Sequence, residues 1–445
     1  MTPPARISAA IEVLGEIETL KRPAADALKA WGLSHRFAGA KDRTAIASLI
    51  YDAQRKRASS AYLMGEETPR AVILGVLHWV RGLEAETVAA LCTDVAHAPR
   101  PLTEEEWARL AKASLEGAPP WIAGDFPQWL EPFLNSAFGA ETLAETQALA
   151  TRAPVDLRVN TLKTTRAKVQ ARLAHLGAEL TPYSPVGLRL PLAFDGRPPP
   201  LAAEPAYIKG LIEVQDQASQ LAALLSLAKP GEQVLDLCAG AGGKSLALAA
   251  LMQNKGQIHA ADRDGARLMR SHPRLDRAGV RNVQLHPPHG RRPGLDALEG
   301  RCDLVFVDVP CTGSGVWRRN PDAKWRMRPG SLKLRVAEQI ETIEAAHRFL
   351  KPGGRLLYVT CSVLKEENED RIAEFLAAHR EYASLSAREM AEKAGLPDLA
   401  GFASRHGFGL RLSPLKSGTD GFFIAMLIKD PQRKGWESSA LGQAA

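Results

Sequence analysis

The 445-residue sequence has few cysteines, few aromatic residues and no long apolar run. Its five cysteines (Cys92, Cys238, Cys302, Cys311 and Cys361) form an odd, widely spaced set. That excludes a disulfide framework and a zinc-type CxxC pair, so no metal is expected. Each cysteine is then either a small buried hydrophobe or a reactive thiol. The longest apolar stretch, Ala71 to Val80, is too short to span a bilayer. The first residues, MTPPARISAA, carry neither an apolar h-region nor a secretory cleavage pattern. No membrane partner is expected, and the default is a cytoplasmic monomer. With 45% hydrophobic and 24% charged residues, the composition is that of an ordinary globular protein.

The net charge of +7 permits attraction to phosphate without requiring it. Arginines recur from Arg263 to Arg301, and the stretch VWRRNPDAKWRMR mixes Arg318, Arg319, Lys324, Arg326 and Arg328 with Trp317 and Trp325. Guanidinium forks and indole faces suit phosphates and unstacked bases. A solvated helix face with two core tryptophans accounts for each cluster equally well.

Residues 1 to about 145 read as helices. Ile7, Ile11, Leu14, Ile17 and Leu20 repeat at helical spacing, and Asp42 is placed to cap a second such segment. PRAVILGVLHWVRG reads as a buried helix in which His78 is a satisfied core histidine. A helical bundle follows. The region 146–210 changes character. VDLRVN and VGLRLPL alternate like strands, TTRAKVQARLAHLG reads as a helix with Thr164 or Thr165 as cap and Gly177 past its end, and FDGRPPPLAAEP is a loop. This is a small α+β module. Over 211–430 strands and helices alternate, ending with GFGLRLS and GFFIAMLIK as an antiparallel pair. That pattern predicts a doubly wound α/β sheet with ligands at the carboxyl ends of its strands. Residues 431–445 read as a disordered tail.

A glycine turn, LDLCAGAGGKS, opens the alternating region. A P-loop would need glycine where Cys238 stands. A dinucleotide fingerprint would need glycine at Ser245, although Asp262 supplies the acid for a ribose. S-adenosylmethionine has a ribose and no phosphate. It needs only small residues for close backbone approach, which AGAGG provides. The turn alone leaves the three open. Downstream, DVPC sets Asp308 and Cys311, and YVTCS sets Cys361, at the ends of two further strands on the same sheet edge. Two thiols, a carboxylate and a nucleoside turn on one edge suit methylation of pyrimidine C5. Thiolate addition at C6 makes C5 nucleophilic, an acid near N3 favours the addition, and a base then removes the C5 proton.

VQDQASQLAALL, VLDLCAGAGGKS, DVPCTGSGVWRRNPDAKW, YVTCSVLKEENE and TDGFFIAML together resemble the motifs, in order, of the Nop/Sun family of RNA cytosine-C5 methyltransferases. The resemblance is strongest to its RsmB (Sun, Fmu) branch and covers roughly residues 119 to 430. It implies a Rossmann-like class I methyltransferase sheet over 211–430. The stretch FAGAKDRTAIASLIYDAQR makes residues 1–145 similar to the NusB-type RNA-binding domain of that branch, with 146–210 as an RNA-binding or linker module. The resemblance further implies S-adenosylmethionine as cofactor and small-subunit (16S) ribosomal RNA as partner. It makes Cys361 the nucleophile, Cys311 the residue that assists product elimination, and Asp308 the contact to the cytosine N3/N4 edge beside the cofactor. Cys238, Ala239, Gly240, Ala241, Gly242, Gly243 and Lys244 would wrap the methionine part, and Asp262 the ribose. Ala241 replaces the proline usual in this turn. The acid expected after the third strand is missing from LHPPHGRRP, where Pro288 or His289 stands. Other readings are a transfer RNA target, a P-loop NTPase, and a non-catalytic RNA-binding assembly factor.

Overall fold

The computed structural model describes residues 1–192, 199–289 and 292–430. Part of the proline-rich loop (193–198), Arg291 and the tail 431–445 lie outside the described residues. The chain divides into two compact units. One holds Met1–Arg152 and Val316–Arg328, and the other holds Ala153–Leu192, Pro198–Gly315 and the chain from Pro329 onward.

The first unit is helical. Thr2 caps Pro3–Leu20 by accepting from Ala5 N, and prolines occupy the first turn, where their missing N–H costs nothing. Ile7, Ala10, Val13, Leu14 and Ile17 are buried along one stripe of that helix. Asp42 acts from inside its helix rather than as the cap. The helix starts at Ala40, and Asp42 Oδ2 accepts from Gly39 N at 3.2 Å. The apolar segment expected as one helix runs as α-helix only to Gly75 and continues over Val76–Val80 as a π-turn. His78 Nδ1 lies 2.7 Å from the Leu83 carbonyl, as a satisfied core histidine should. Asp52, 2% exposed, accepts from Arg55, Arg81 and Arg152, so one buried carboxylate gathers three guanidiniums.

Residues 316–328 complete this unit by closing two helix ends. The helix Ala40–Arg55 leaves carbonyls unpaired at its C-terminus. Trp325 Nε1 donates to Gln54 O at 2.7 Å and Lys324 Nζ to Arg55 O at 2.9 Å, so two of these carbonyls are satisfied. Asp322 Oδ2 accepts from Ala24 N at 3.2 Å, at the start of the helix Ala24–Ser34. In return Arg55 donates twice to Arg318 O. The second basic cluster is therefore largely internal: Trp317, Arg318 and Lys324 are all buried.

The second unit contains two sheets. The smaller is antiparallel in the order β2-β3-β1-β4, built from β1 (Val155–Val159), β2 (Glu179–Leu180), β3 (Gly187–Leu190) and β4 (Ile212–Val214). On β1, Leu157 and Val159 enter its core, while Asp156 and Arg158 are buried on the opposite face. The larger sheet has β5 (Gln233–Asp236), β6 (Gln257–Ala261) and β7 (Val283–His286). After a two-residue ribbon, β8 (Pro288–His289) with β9 (Arg292–Pro293), come β10 (Cys302–Asp308), β11 (Leu350–Thr360), β12 (Tyr382–Ser384), β13 (Leu410–Leu412) and β14 (Phe422–Lys429). The order is β12-β14-β11-β10-β5-β6-β7, with β13 beside β14. The strands from β11 through β7 are parallel, and β14 runs antiparallel to β11, β12 and β13. The chain winds outward from β5 through β6 and β7, then restarts at β10 on the other side. This reversal opens a crevice at the carboxyl ends of β5 and β10. The sheet is a doubly wound, Rossmann-like sheet, and no helix among the described residues is long and apolar enough to cross a membrane.

Lys324 is fully buried, and burial pushes its ammonium down to about 7 despite the nearby Asp125. The unfolded chain then binds the extra proton between about pH 7 and pH 10, so stability rises with pH across that window. The slope is up to about 1.4 kcal/mol per pH unit. Chemical denaturation of Lys324→Met should show a flatter profile than the wild type there. Parallel profiles would refute the assignment.

Candidate active site

The glycine turn follows β5 and feeds the helix Gly243–Leu251. Gly240 and Gly242 have φ of +54° and +78°, and a Cβ on Gly242 would come within 2.7 Å of Ser271 Cβ. Both positions therefore need glycine. Three amides of the turn are already used. Ala239 N donates to Ala261 O at 2.9 Å, Gly240 N to Asp262 Oδ2 at 2.7 Å, and Gly242 N to Ala239 O at 2.9 Å. The carbonyls are held from outside: Arg274 donates to Ala241 O at 2.6 Å and Arg158 to Gly243 O at 2.9 Å.

Three carboxylates also lie near the turn. Asp236, Asp262 and Asp308 all act on Cys238. Burial, reinforced by these three carboxylates, pushes the Cys238 thiol far up, so it stays a protonated, inert space-filler. Burial raises Asp236 to about 7, while Ser245 donates to its Oδ2 at 2.6 Å. Ser245 is thus placed for a carboxylate rather than for a phosphate or a metal. Asp262, at the end of β6, accepts from Gly240 N and Asp264 N through different oxygens. Lys244 Nζ donates to Asp308 Oδ2 at 2.6 Å. Burial disfavours that ammonium, but Asp308 outweighs burial and holds its pKa above the usual lysine value.

Cys311 and Cys361 meet. Their sulfurs are 3.3 Å apart, just beyond β10 and β11, which pair in parallel with Asp308 opposite Val359. The hydrogen bond with Cys361, then burial, raises the Cys311 pKa well above its ordinary value, so Cys311 keeps its proton and can donate it toward Cys361 Sγ.

The sequence reading missed what holds the two loops together. Glu367 is fully buried. One oxygen accepts from Thr312 N (2.8 Å) and Gln339 Nε2 (3.0 Å), the other from the hydroxyls of Thr312 and Ser362, both at 2.5 Å. Thr312 and Ser362 each directly follow one of the two cysteines. Gly315 N also donates to Cys361 O at 2.9 Å, and Ser314 and Ser362 share a hydroxyl contact at 2.9 Å. In KEENE the glutamate reads only as part of an acidic helix start. Its distinguishing signal is spacing, close after a strand-end cysteine.

Other sequence expectations resolve as follows. Arg274 and Arg277 of the first arginine run are bound by Glu213, and Arg263 pairs with Glu338. The Glu213 pairs are partly buried, and the Arg263 pair lies at the surface. At the third strand Pro288 offers no carboxylate and sits against Gly265, where a Cβ would be 3.1 Å from Pro288 Cδ.

Comparison with known proteins agrees with this fold. The family described as 16S rRNA methyltransferase RsmB/F matches residues 222–428, and an RsmF/B-like ferredoxin-like domain matches 126–195. A ribosomal RNA small subunit methyltransferase B from Xanthomonas campestris is 35% identical over 72% of this chain and 70% of its own length. One from Sodalis glossinidius is 34% identical over 69% of this chain and 66% of its own length. The chain thus spans about two thirds of these curated relatives. Among solved structures, that of PH0851 superposes with a TM-score of 0.71 at 28% identity, covering 96% of this chain and 99% of its own. A methyltransferase homolog from Pyrococcus horikoshii does so with 0.57 at 28% identity, covering 70% and 97%. With the sheet order, the glycine turn and these relatives in agreement, the chain belongs to the RsmB/F family of 16S ribosomal RNA methyltransferases.

Proposed function

We propose that the protein transfers a methyl group from S-adenosylmethionine to C5 of a cytosine in small-subunit ribosomal RNA, through a covalent bond between Cys361 Sγ and cytosine C6. The observation that carries this reading is the pair of sulfurs 3.3 Å apart beside the Asp308–Lys244 ion pair. Methylation at a nitrogen or a hydroxyl needs positioning and a proton acceptor. It has no use for two thiols at neighbouring strand ends.

The turn fits the cofactor. Glycines at positive φ let a ligand approach the backbone closely, and the Asp262 carboxylate at the end of β6 suits ribose hydroxyls. Cys238, Ala239, Gly240, Ala241, Gly242, Gly243 and Lys244 line its methionine part, and Asp262 takes the ribose hydroxyls. When bound, S-adenosylmethionine supplies an electrophilic methyl group. Cys361 adds to C6, and the electron pair of the C5–C6 double bond becomes available at C5. The proton Cys361 gives up on adding is taken by N3, where Asp308, held by Lys244, accepts a hydrogen bond from it, and N3 releases that proton once C5 carries the methyl group. After transfer the C5 proton leaves to a base, the double bond re-forms and the C6–S bond breaks with its electrons on Cys361. The Cys311 S–H, kept protonated by its surroundings, donates to the departing sulfur. The ribosomal target follows from what the relatives are named. RNA recognition is assigned to the helices of 1–145 and the small module 146–210.

Cys361→Ala should form no covalent RNA adduct and lose activity by more than about 10³-fold. Cys311→Ala should accumulate an adduct that resists denaturing electrophoresis. Loss of activity in both without any adduct would overturn the role assignment. Bisulfite mapping of ribosomal RNA from cells lacking the protein should show one cytosine losing its mark, and a mark lost from transfer RNA instead would move the substrate.

Glu367 acts by positioning. Glu367→Ala should lower kcat by about 10²-fold, because misplaced reacting groups cost that order of rate, while cofactor affinity and far-ultraviolet circular dichroism stay near wild type. Glu367→Gln should recover part of the loss, since the Thr312 and Ser362 hydroxyls can turn to accept from the amide. Wild-type kcat in Glu367→Ala would remove Glu367 from the mechanism.

A further inference from the structure

At the sheet edge opposite the cleft, the helix Pro329–His347 ends just before β11, and the helix Glu369–Ala378 returns to the same edge before β12. There the two helices bring Glu344, His347 and His379 together, with one ligand atom of each within 4.8 Å of the others. We propose that these three residues bind one divalent transition-metal cation of the zinc class, at a site separate from the methyl-transfer chemistry.

Glu344 and His347 stand at i and i+3 in the last turn of one helix, so both side chains share a face. Both Glu344 oxygens lie 3.0–3.1 Å from His379 Nε2. The other nitrogen of that ring, Nδ1, is 3.4 Å from Glu381 Oε1. A carboxylate on the far nitrogen is the usual partner of a metal-bound histidine, since it fixes the tautomer and aims the remaining lone pair. With the proton on Nδ1, the Nε2 lone pair and the Glu344 carboxylate converge as two ligands of one cation would. A proton on His379 would satisfy that pair alone, whereas a metal also uses His347. The His347 Nδ1 is buried without a hydrogen-bond partner. Burial, then the neighbouring His379, lowers the His347 pKa, which keeps the ring neutral and its lone pair available.

The surroundings hold both rings still. Phe375 stacks on His379 at 4.3 Å between centroids, and the His347 and His379 rings are 4.5 Å apart. The charged groups acting on His347 are Glu344, Glu381 and Lys429, with His379 beside them, so carboxylates outnumber the ammonium. Two imidazoles and a carboxylate select zinc, cobalt, nickel or copper over magnesium or calcium, and three protein ligands leave one position for water.

The test uses tag-free, full-length protein stripped with chelator and titrated with Zn²⁺, then with Co²⁺ as a spectroscopic stand-in. One equivalent of Zn²⁺ should bind with micromolar or tighter affinity. Co²⁺ should give visible d–d bands without intense near-ultraviolet thiolate charge transfer, which would betray capture by Cys311 and Cys361. His379→Ala and the milder Glu344→Gln should abolish the stoichiometric site, and Glu381→Gln should weaken it by about 10–100-fold. Circular dichroism checks that each variant is folded, and methyl transfer to RNA by the stripped protein should match that of the loaded form. No stoichiometric binding, binding unchanged in both ligand variants, or a thiolate band would overturn the proposal.

Discussion

The parallel pairing of β10 with β11 is the constraint from which the site follows. Main-chain hydrogen bonds fix Asp308 opposite Val359, and both strands end at one edge. The residues just past those ends can then meet although Cys311 and Cys361 are far apart in sequence. A slip of one residue would send every side chain to the other face of its strand. The apolar runs of CDLVFVD and RLLYVT prevent the slip, because both faces of these strands are buried. Glu367 then acts on loops that the sheet has already brought together. It satisfies four donors with one carboxylate and so turns adjacency into a defined geometry.

The glycine turn shows how one backbone shape can serve different ligands. A strand, a tight turn and a helix N-terminus suit phosphate only if amides point outward into a neutral or positive space. Here three of the amides donate inward, one of them to the Asp262 carboxylate. Cys238 and Ser245, which broke two phosphate motifs, have structural roles in this setting. One fills space as a neutral thiol, and the other partners Asp236.

Much of the architecture could be read from the chain because it is written in local patterns. The apolar strands, the alternation with helices and the antiparallel closing pair depend on residues close in sequence. The sites at the ends of β5, β6, β10 and β11 follow from topology once the strands are found. Glu367 could not be read this way, because its meaning depends on Thr312 and Gln339, which reach it only in the folded sheet. The partners of Arg274 and Arg277 could not be read for the same reason, since Glu213 lies in a different element. Sequence spacing shows which charges exist, and only the fold shows which of them are already matched.

The segment Val316–Arg328 belongs by contacts to the helical unit, although the chain enters it directly from the loop of Cys311 and leaves it for the helix that carries Gln339. It supplies Lys324 and Trp325 to one helix end and Asp322 to another. The two units are therefore not beads on a string. A gene fusion or domain exchange that replaced residues 1–152 alone would leave the incoming helices without their caps, and would leave a buried lysine with no carbonyl to bind. The helical unit and the methyltransferase sheet can be inherited together, but recombination at a single junction cannot trade one without the other.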